Sequence, residues 1–229
     1  MSDHAERQPV QDTARTTPHI TIHTVDAQTL QSALAYLTTC DADLARSVDT
    51  WGPPPLWARQ PGFATLIHII LEQQVSLASA KAAFDRLVAA TKMLTPATFL
   101  ALDDTTLRQI GFSRQKRDYG RGIAQAILAD TLDLDAFPAL PDATVRQALL
   151  AQKGIGAWTA DIYLLMALGR ADIWPAGDLA LAVAAQSLKR MAQRPDPAEL
   201  THIAASWRPW RAVAARILWH EYLNRQTRR

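Results

Sequence analysis

The stretch that most limits what this chain can become is Phe63-Ala64-Thr65-Leu66-Ile67-His68-Ile69-Ile70-Leu71, where apolar residues follow one another almost without a break. Such a run suits a helix buried over most of its circumference and therefore central to a core. The pattern on either side is also helical. Leu30, Ala33, Leu34 and Leu37 share one face of a first helix that begins near Gln28 and is expected to end before Gly52-Pro53-Pro54-Pro55, which cannot continue it. Ser76 or Ser79 offers a cap for a helix carrying Phe84, Leu87 and Val88, and Thr95-Pro96 and Asp103-Asp104 open further short helices. Ser113 can cap a helix with Tyr119, Ile123 and Ile127, which Pro138 and Pro141-Asp142 separate from one with Val145, Ala148 and Leu149. Trp158, Ile162 and Leu165 mark the next, Asp178 begins another, and Trp210, Val213, Ala214 and Ile217 give the last a buried stripe. Only residues 19–25, with Ile20 and Ile22 on one face, hint at a strand. The expected fold is all-α, preceded by a polar tail over residues 1–26 that is either mobile or docks on the body.

Several classes of chemistry are excluded by what is missing. Cys40 is the only cysteine, which rules out an internal disulfide, a four-thiolate iron–sulfur cluster and a cysteine zinc site. His68 and Glu72 stand one helical turn apart, but two candidate ligands in an apolar run read as a core histidine, and no metal is expected. No apolar run approaches the ~18–20 residues that cross a bilayer, and residues 1–20 lack a signal-peptide core, so no membrane partner and a cytoplasmic location are expected. A net charge of +2 is too small to imply a polyanionic partner, which shifts attention to where the charges lie. Arg108, Arg114, Lys116, Arg117 and Arg121, opposed only by Asp118, form one basic stretch, and Arg208, Arg211, Arg216, Arg225, Arg228 and Arg229 form a second. Either can neutralise phosphates, although a solvated helix face is the commoner use of such clusters.

In Leu149-Leu150-Ala151-Gln152-Lys153-Gly154-Ile155-Gly156-Ala157-Trp158-Thr159-Ala160, two glycines flanking one apolar residue join two helical patterns. Glycine allows positive φ and close approach, and backbone N–H groups at a helix start suit a phosphate. By itself the motif serves a tight structural turn as well as an anion site. However, Gly154-Ile155-Gly156-Ala157-Trp158-Thr159-Ala160 resembles the hairpin of the helix-hairpin-helix DNA glycosylase superfamily. Three further segments agree in order: Ile69-Ile70-Leu71-Glu72-Gln73-Gln74-Val75-Ser76, which resembles a minor-groove segment; Pro175-Ala176-Gly177-Asp178-Leu179, the aspartate loop; and Trp207-Arg208-Pro209-Trp210-Arg211. They resemble the branch of bacterial 3-methyladenine DNA glycosylase II over roughly residues 60–225. Lys153 stands where the superfamily commonly has proline, and too few residues precede Pro61 for the β-rich N-terminal domain of that branch.

The resemblance implies two helical subdomains with an active-site cleft between them. One would comprise the first and C-terminal helices of a domain spanning 27–229, the other about 60–167. It also implies a monomer acting on double-stranded DNA that contains alkylated purines of the 3-methyladenine and 7-methylguanine type, in base excision repair. Asp178, which alone would read as a helix N-cap, becomes the catalytic carboxylate that offsets positive charge on the sugar and activates water. The position used for a Schiff-base lysine in lyase relatives is Trp158, which implies hydrolysis without strand cleavage. Trp158, Trp219, His220 and Trp174 would line the base pocket, while Trp51, Trp57 and Trp210 read as core. His220 occupies a position where the branch has tyrosine. Gln73, Gln74, Ser76, Lys153, Gly154, Gly156, Ala157, Thr159 and Arg211 would touch DNA. Gln74 would be the wedge that fills the vacated stack, or Gln73 and Gln74 simply cap a helix end. No cofactor is implied, although a structural monovalent cation at the hairpin fits the resemblance. Two other readings keep the fold: a glycosylase for another damaged base, and a non-catalytic damaged-DNA-binding protein.

Overall fold

The computed structural model describes residues 23–227. These form twelve α-helices: α1 (Ala27–Cys40), α2 (Ala42–Trp51), α3 (Phe63–Glu72), α4 (Leu77–Thr91), α5 (Pro96–Leu100), α6 (Asp104–Ile110), α7 (Arg114–Leu128), α8 (Asp142–Leu150), α9 (Ala157–Ile162), α10 (Leu179–Leu188), α11 (Pro197–Ala204) and α12 (Arg211–Thr227). A π-helical turn, Tyr163–Ala167, prolongs α9. No strand occurs among the described residues, so the all-α expectation holds.

The apolar run becomes α3, in which Leu66, Ile67, Ile69 and Ile70 are wholly buried. At about 1.5–3 kcal/mol for each fully buried aliphatic side chain, this helix organises its surroundings. It packs on α4, α7, α9 and the π turn. His68 keeps to its rim, stacked on Phe84 with ring centroids 4.2 Å apart. The second group of helices is centred on α12, which packs on α10, α2 and α1. The two groups face each other across a cleft.

The expected first helix is two. Asp41 adopts an extended conformation (φ −140°, ψ 106°); its N–H closes α1 on the Leu37 carbonyl and its carboxylate caps α2 through the amides of Asp43 and Leu44. One residue thus ends one helix and starts the next. Ser76, not Ser79, caps α4, accepting from the Ser79 amide at 3.2 Å. The expected tail is held at its inner end: Thr24 bridges Arg170, the Val25 amide donates to Gly169 at 2.7 Å and the Ala171 amide to His23 at 3.0 Å. Residues 1–22, with most of the possible strand at 19–25, lie outside the described residues.

Several residues of the basic stretches take structural roles that their sequence hides. Arg216 is 1% exposed and donates to the carbonyls of Leu56, Ala212 and Leu165 at 2.8–3.0 Å. Burial pushes its pKa down to about 10. Arg208 and Arg211 pair with Asp172, and Arg225 pairs with Glu221. Arg228 and Arg229 lie outside the described residues. In the other stretch Arg117 and Arg121 pair with Asp104, so Asp118 is not their only counter-charge. Lys116 donates to the carbonyls of Leu71 and Gln73, both at 2.8 Å, closing the C-terminal end of α3.

Candidate active site in the cleft

Helices α8 and α9 form the hairpin. Gly154 has φ +91°, and a Cβ built on it would lie 2.1 Å from Cγ of Tyr119. Glycine is therefore required twice, by the backbone angle and by the ring lying against it. Ile155 is buried, as expected of the turn's anchor. Gly156 precedes α9 at φ −90° with open space where a Cβ would be. Its need for glycine comes from no contact within the protein; what it leaves is an exposed helix start whose first amides lack intrahelical acceptors. Ala157 is exposed beside it, and Lys153 is exposed on the turn but absent from the groove lining.

The segment after α3 is tied to this hairpin. The Gln73 side-chain amide donates to the Gly154 carbonyl at 3.0 Å and to Thr159 Oγ1 at 2.9 Å. Gln73 and Thr159, both expected at DNA, line the groove and are hydrogen-bonded to each other there, with Thr159 2% exposed. Gln74 follows with φ +58°, a left-handed conformation uncommon outside glycine, and stands at the groove with Val75 and Ser76.

Asp178 caps α10, its Oδ1 accepting from the Leu181 amide at 3.0 Å. Two indoles complete its surroundings. Trp158 Nε1 donates to Oδ2 at 2.8 Å and Trp219 Nε1 to Oδ1 at 3.1 Å. Trp158 belongs to α9 and Trp219 to α12, so the carboxylate is gripped from both helix groups at the bottom of the cleft. Both oxygens face donors that cannot rotate freely, which fixes the plane of the carboxylate.

Asp178 and Trp158 lie between a wide groove of about 1320 Å³, lined also by Gly156, Gln74 and Tyr119, and a narrower cavity of about 670 Å³. The cavity is walled by Trp57, Met166, Trp219 and Tyr222, with Arg59 and Glu72 as its charged residues besides Asp178. Trp57, expected in the core, stands edge-on to Trp219 at 6.5 Å and lines the cavity. The His220 ring stands 6.3 Å from that of Trp57, and His220 is absent from the lining, where α12 presents Trp219 and Tyr222. Trp174 packs edge-on against Trp207 at 5.4 Å, away from the cavity, and Arg211 is occupied by Asp172. Tyr222 could have been found in the sequence, since it lies three residues beyond Trp219 on the same helical face. Trp57 could not, because its place depends on the path of the irregular segment after Pro55.

No group of three or more histidine, cysteine, aspartate or glutamate residues that could hold a metal occurs among the described residues. No described helix is long and apolar enough to cross a membrane. His68 stands 3.7 Å from Glu72, and burial, opposed by that carboxylate, lowers its pKa.

A helical hairpin facing a groove, with a capped aspartate beside an aromatic cavity, defines a class of base-excision protein, and the comparisons give the family. Residues 67–209 match the family model described as "HhH-GPD superfamily base excision DNA repair protein". The chain belongs to that superfamily. Among its relatives, DNA-3-methyladenine glycosylase 1 of Schizosaccharomyces pombe is 27% identical over 180 residues, covering 77% of this chain and 79% of that protein. The putative DNA-3-methyladenine glycosylase YfjP of Bacillus subtilis is 29% identical over 124 residues, 54% of this chain, and the match spans only 43% of that relative. The solved structure of the S. pombe 3-methyladenine DNA glycosylase Mag1 in complex with abasic DNA superposes with a TM-score of 0.77 at 26% identity, covering 82% of this chain and 95% of that one.

Proposed function

We propose that this chain is a monofunctional DNA glycosylase that hydrolyses the N-glycosidic bond of alkylated purines, of the 3-methyladenine and 7-methylguanine type, as a monomer on double-stranded DNA in base excision repair. The observation that carries the reading is the Asp178 carboxylate, held by Trp158 and Trp219 at the entrance of an aromatic cavity. The names of the relatives support the same substrate class.

In this reading the hairpin and the exposed start of α9 hold the DNA backbone while Gln74 enters the stack and the damaged nucleotide swings into the cavity. Alkylation leaves the purine cationic, and a cavity lined by Trp57, Trp219 and Tyr222 supplies the aromatic surface that attracts such a base. As the bond to the base lengthens, positive charge grows on the sugar; Asp178 stabilises it and orients the attacking water. The leaving base departs with the bonding electron pair, which neutralises the positive charge that alkylation had placed on it. No cofactor is required. Among the described residues the groove and cavity offer no free lysine amine for Schiff-base chemistry: Lys116 lines the groove, but its Nζ is committed to two carbonyls, and Lys153 lies outside the lining.

The test is release of free 3-methyladenine and 7-methylguanine from methylated DNA, with chelator present, by wild type and Asp178→Asn. Wild-type release that falls about a hundredfold or more in the variant, with DNA affinity kept, is expected. No release by wild type with binding intact would move the assignment to another lesion or to a damage-binding protein.

A further inference from the structure

The cavity that holds the base has one feature its aromatic walls do not explain. Glu72, the last residue of α3, lines both the groove and the cavity although its side chain is only 6% exposed. A carboxylate so deeply placed needs partners, and Arg59 supplies them in a two-pronged pair, Nη2 to Oε1 at 2.7 Å and Nη1 to Oε2 at 3.1 Å. Arg59 is itself fixed, its backbone amide donating to the Met166 carbonyl at 2.8 Å, and both Arg59 and Met166 line the cavity. The pair therefore stands as a rigid polar element in a wall made mostly of apolar side chains.

A carboxylate oxygen has two lone-pair directions, and the guanidinium occupies one on each. The remaining directions accept, and the carboxylate offers no donor. His68, at 3.7 Å, is beyond hydrogen-bond reach of Glu72 and does not use them. A purine with an exocyclic amino group presents a donor that this surface can take, whereas a carbonyl at the same ring position presents an acceptor to an acceptor. We infer that Glu72, held by Arg59, is a specificity-determining residue that accepts a hydrogen bond from the 6-amino group of the extruded base and so favours adenine-type over 6-oxo purines. The inference deepens the glycosylase reading and rests on it for the identity of the cavity's occupant.

Substitution makes the direction of the preference testable. In Glu72→Gln only the amide oxygen can accept from Arg59, so one prong of the pair is lost, and the NH2 group, which cannot face a guanidinium, turns from it and offers the cavity a donor. The variant should lose the preference for the amino group or reverse it, while keeping size and shape. Free bases provide a readout that needs no catalysis, since Trp57, Trp158 and Trp219 line the cavity and report its occupancy by intrinsic fluorescence.

Adenine and hypoxanthine would be titrated against wild type and Glu72→Gln, with thermal melting as the control for folding. A wild-type preference for adenine of about tenfold, lost or inverted in the folded variant, is expected from one hydrogen bond to a charged group. Where the substitution unfolds the chain, Arg59→Lys serves instead: the carboxylate keeps a cationic partner but loses the two-pronged clamp, and the preference should weaken. The same adenine-to-hypoxanthine ratio in a folded variant, or no saturable response to either base, overturns the inference. Excision of 3-methyladenine from DNA, measured beside it, tests the glycosylase reading separately: excision with an unchanged base ratio fails the Glu72 role alone, and absent excision with a Glu72-dependent ratio fails the glycosylase reading alone.

Discussion

Trp158 and Asp178, twenty residues apart in sequence, are joined by a hydrogen bond of 2.8 Å from the indole nitrogen to carboxylate Oδ2. The bond runs from the helix after the hairpin to the cap of α10, so the motif that faces the groove also sets the orientation of the carboxylate. Trp158→Phe keeps an aromatic wall and removes only the donor. Excision is expected to fall about ten- to a hundredfold in kcat with little change in KM, because an orienting contact is lost rather than a binding surface. Single-turnover kinetics on a methylated duplex would show it; an effect confined to KM would make Trp158 a pocket wall only.

The two hairpin glycines should respond in opposite ways. Gly154→Ala must adopt a strained positive φ and displace the Tyr119 ring, and is expected to cost about 2–4 kcal/mol of stability. Gly156→Ala meets open space at an ordinary φ and should stay within about 0.5 kcal/mol of wild type. Its added methyl instead obstructs the surface where a phosphate would approach, so DNA affinity should drop about tenfold. Thermal melting and a binding titration separate the two effects. Equal destabilisation by both substitutions would mean that Gly156 is kept for the fold.

How far the sequence reveals this arrangement depends on whether a residue's role is local. Caps are local: Ser76, Ser113 and Asp178 each start the helix expected of them, because a short polar side chain before a periodic run finds the free amides of its own chain. The break at Asp41 escapes periodicity because the apolar stripe carries on through Leu44, which is buried like Leu37. Arg216 looks like part of a surface cluster until α12 is seen packed on several sides, where an arginine can only be accommodated by carbonyls from other segments. The cavity is the least legible part. Trp57 and Arg59 come from an irregular strap whose path no pattern encodes, and Trp174 packs on Trp207 and His220 beside Trp57, contacts between residues far apart in sequence.

The adjacent glutamines, interchangeable in composition, are expected to separate in experiment. Gln73→Ala removes the two hydrogen bonds that tie the α3 end to the hairpin and should cost about 1–3 kcal/mol. Gln74→Ala removes a groove-facing side chain and should leave stability within about 0.5 kcal/mol. Only the second should slow base extrusion, read as the rate of fluorescence rise of 2-aminopurine placed beside the lesion. Extrusion at the wild-type rate in Gln74→Ala would transfer the wedge to its exposed neighbour Val75.

Acid stability should depend on the joint between α1 and α2. Burial pushes the Asp41 carboxyl up, but Lys189 and the Trp207 indole, both at 2.8 Å, together with the Leu44 amide, hold it below its ordinary value. Glu221 is governed in the same way: burial raises it, and Arg225, Ser47 and Trp51 lower it further than burial lifts it. A carboxyl whose folded pKa is depressed adds stability that is complete above its unfolded pKa and disappears as pH falls through the folded one. The melting temperature should therefore hold from neutral pH down to about 5 and decline below about 4. Asp142 and Asp161, raised mainly by burial, act in the opposite sense, so the comparison must be made on one site. Asp41→Asn keeps the helix cap and removes the charge; it should cost about 1–3 kcal/mol at pH 7 and less as pH falls, so that its melting curve converges on wild type in acid. Calorimetry of both proteins across that range decides the matter, because a constant gap between them would assign the loss to packing rather than to the charge.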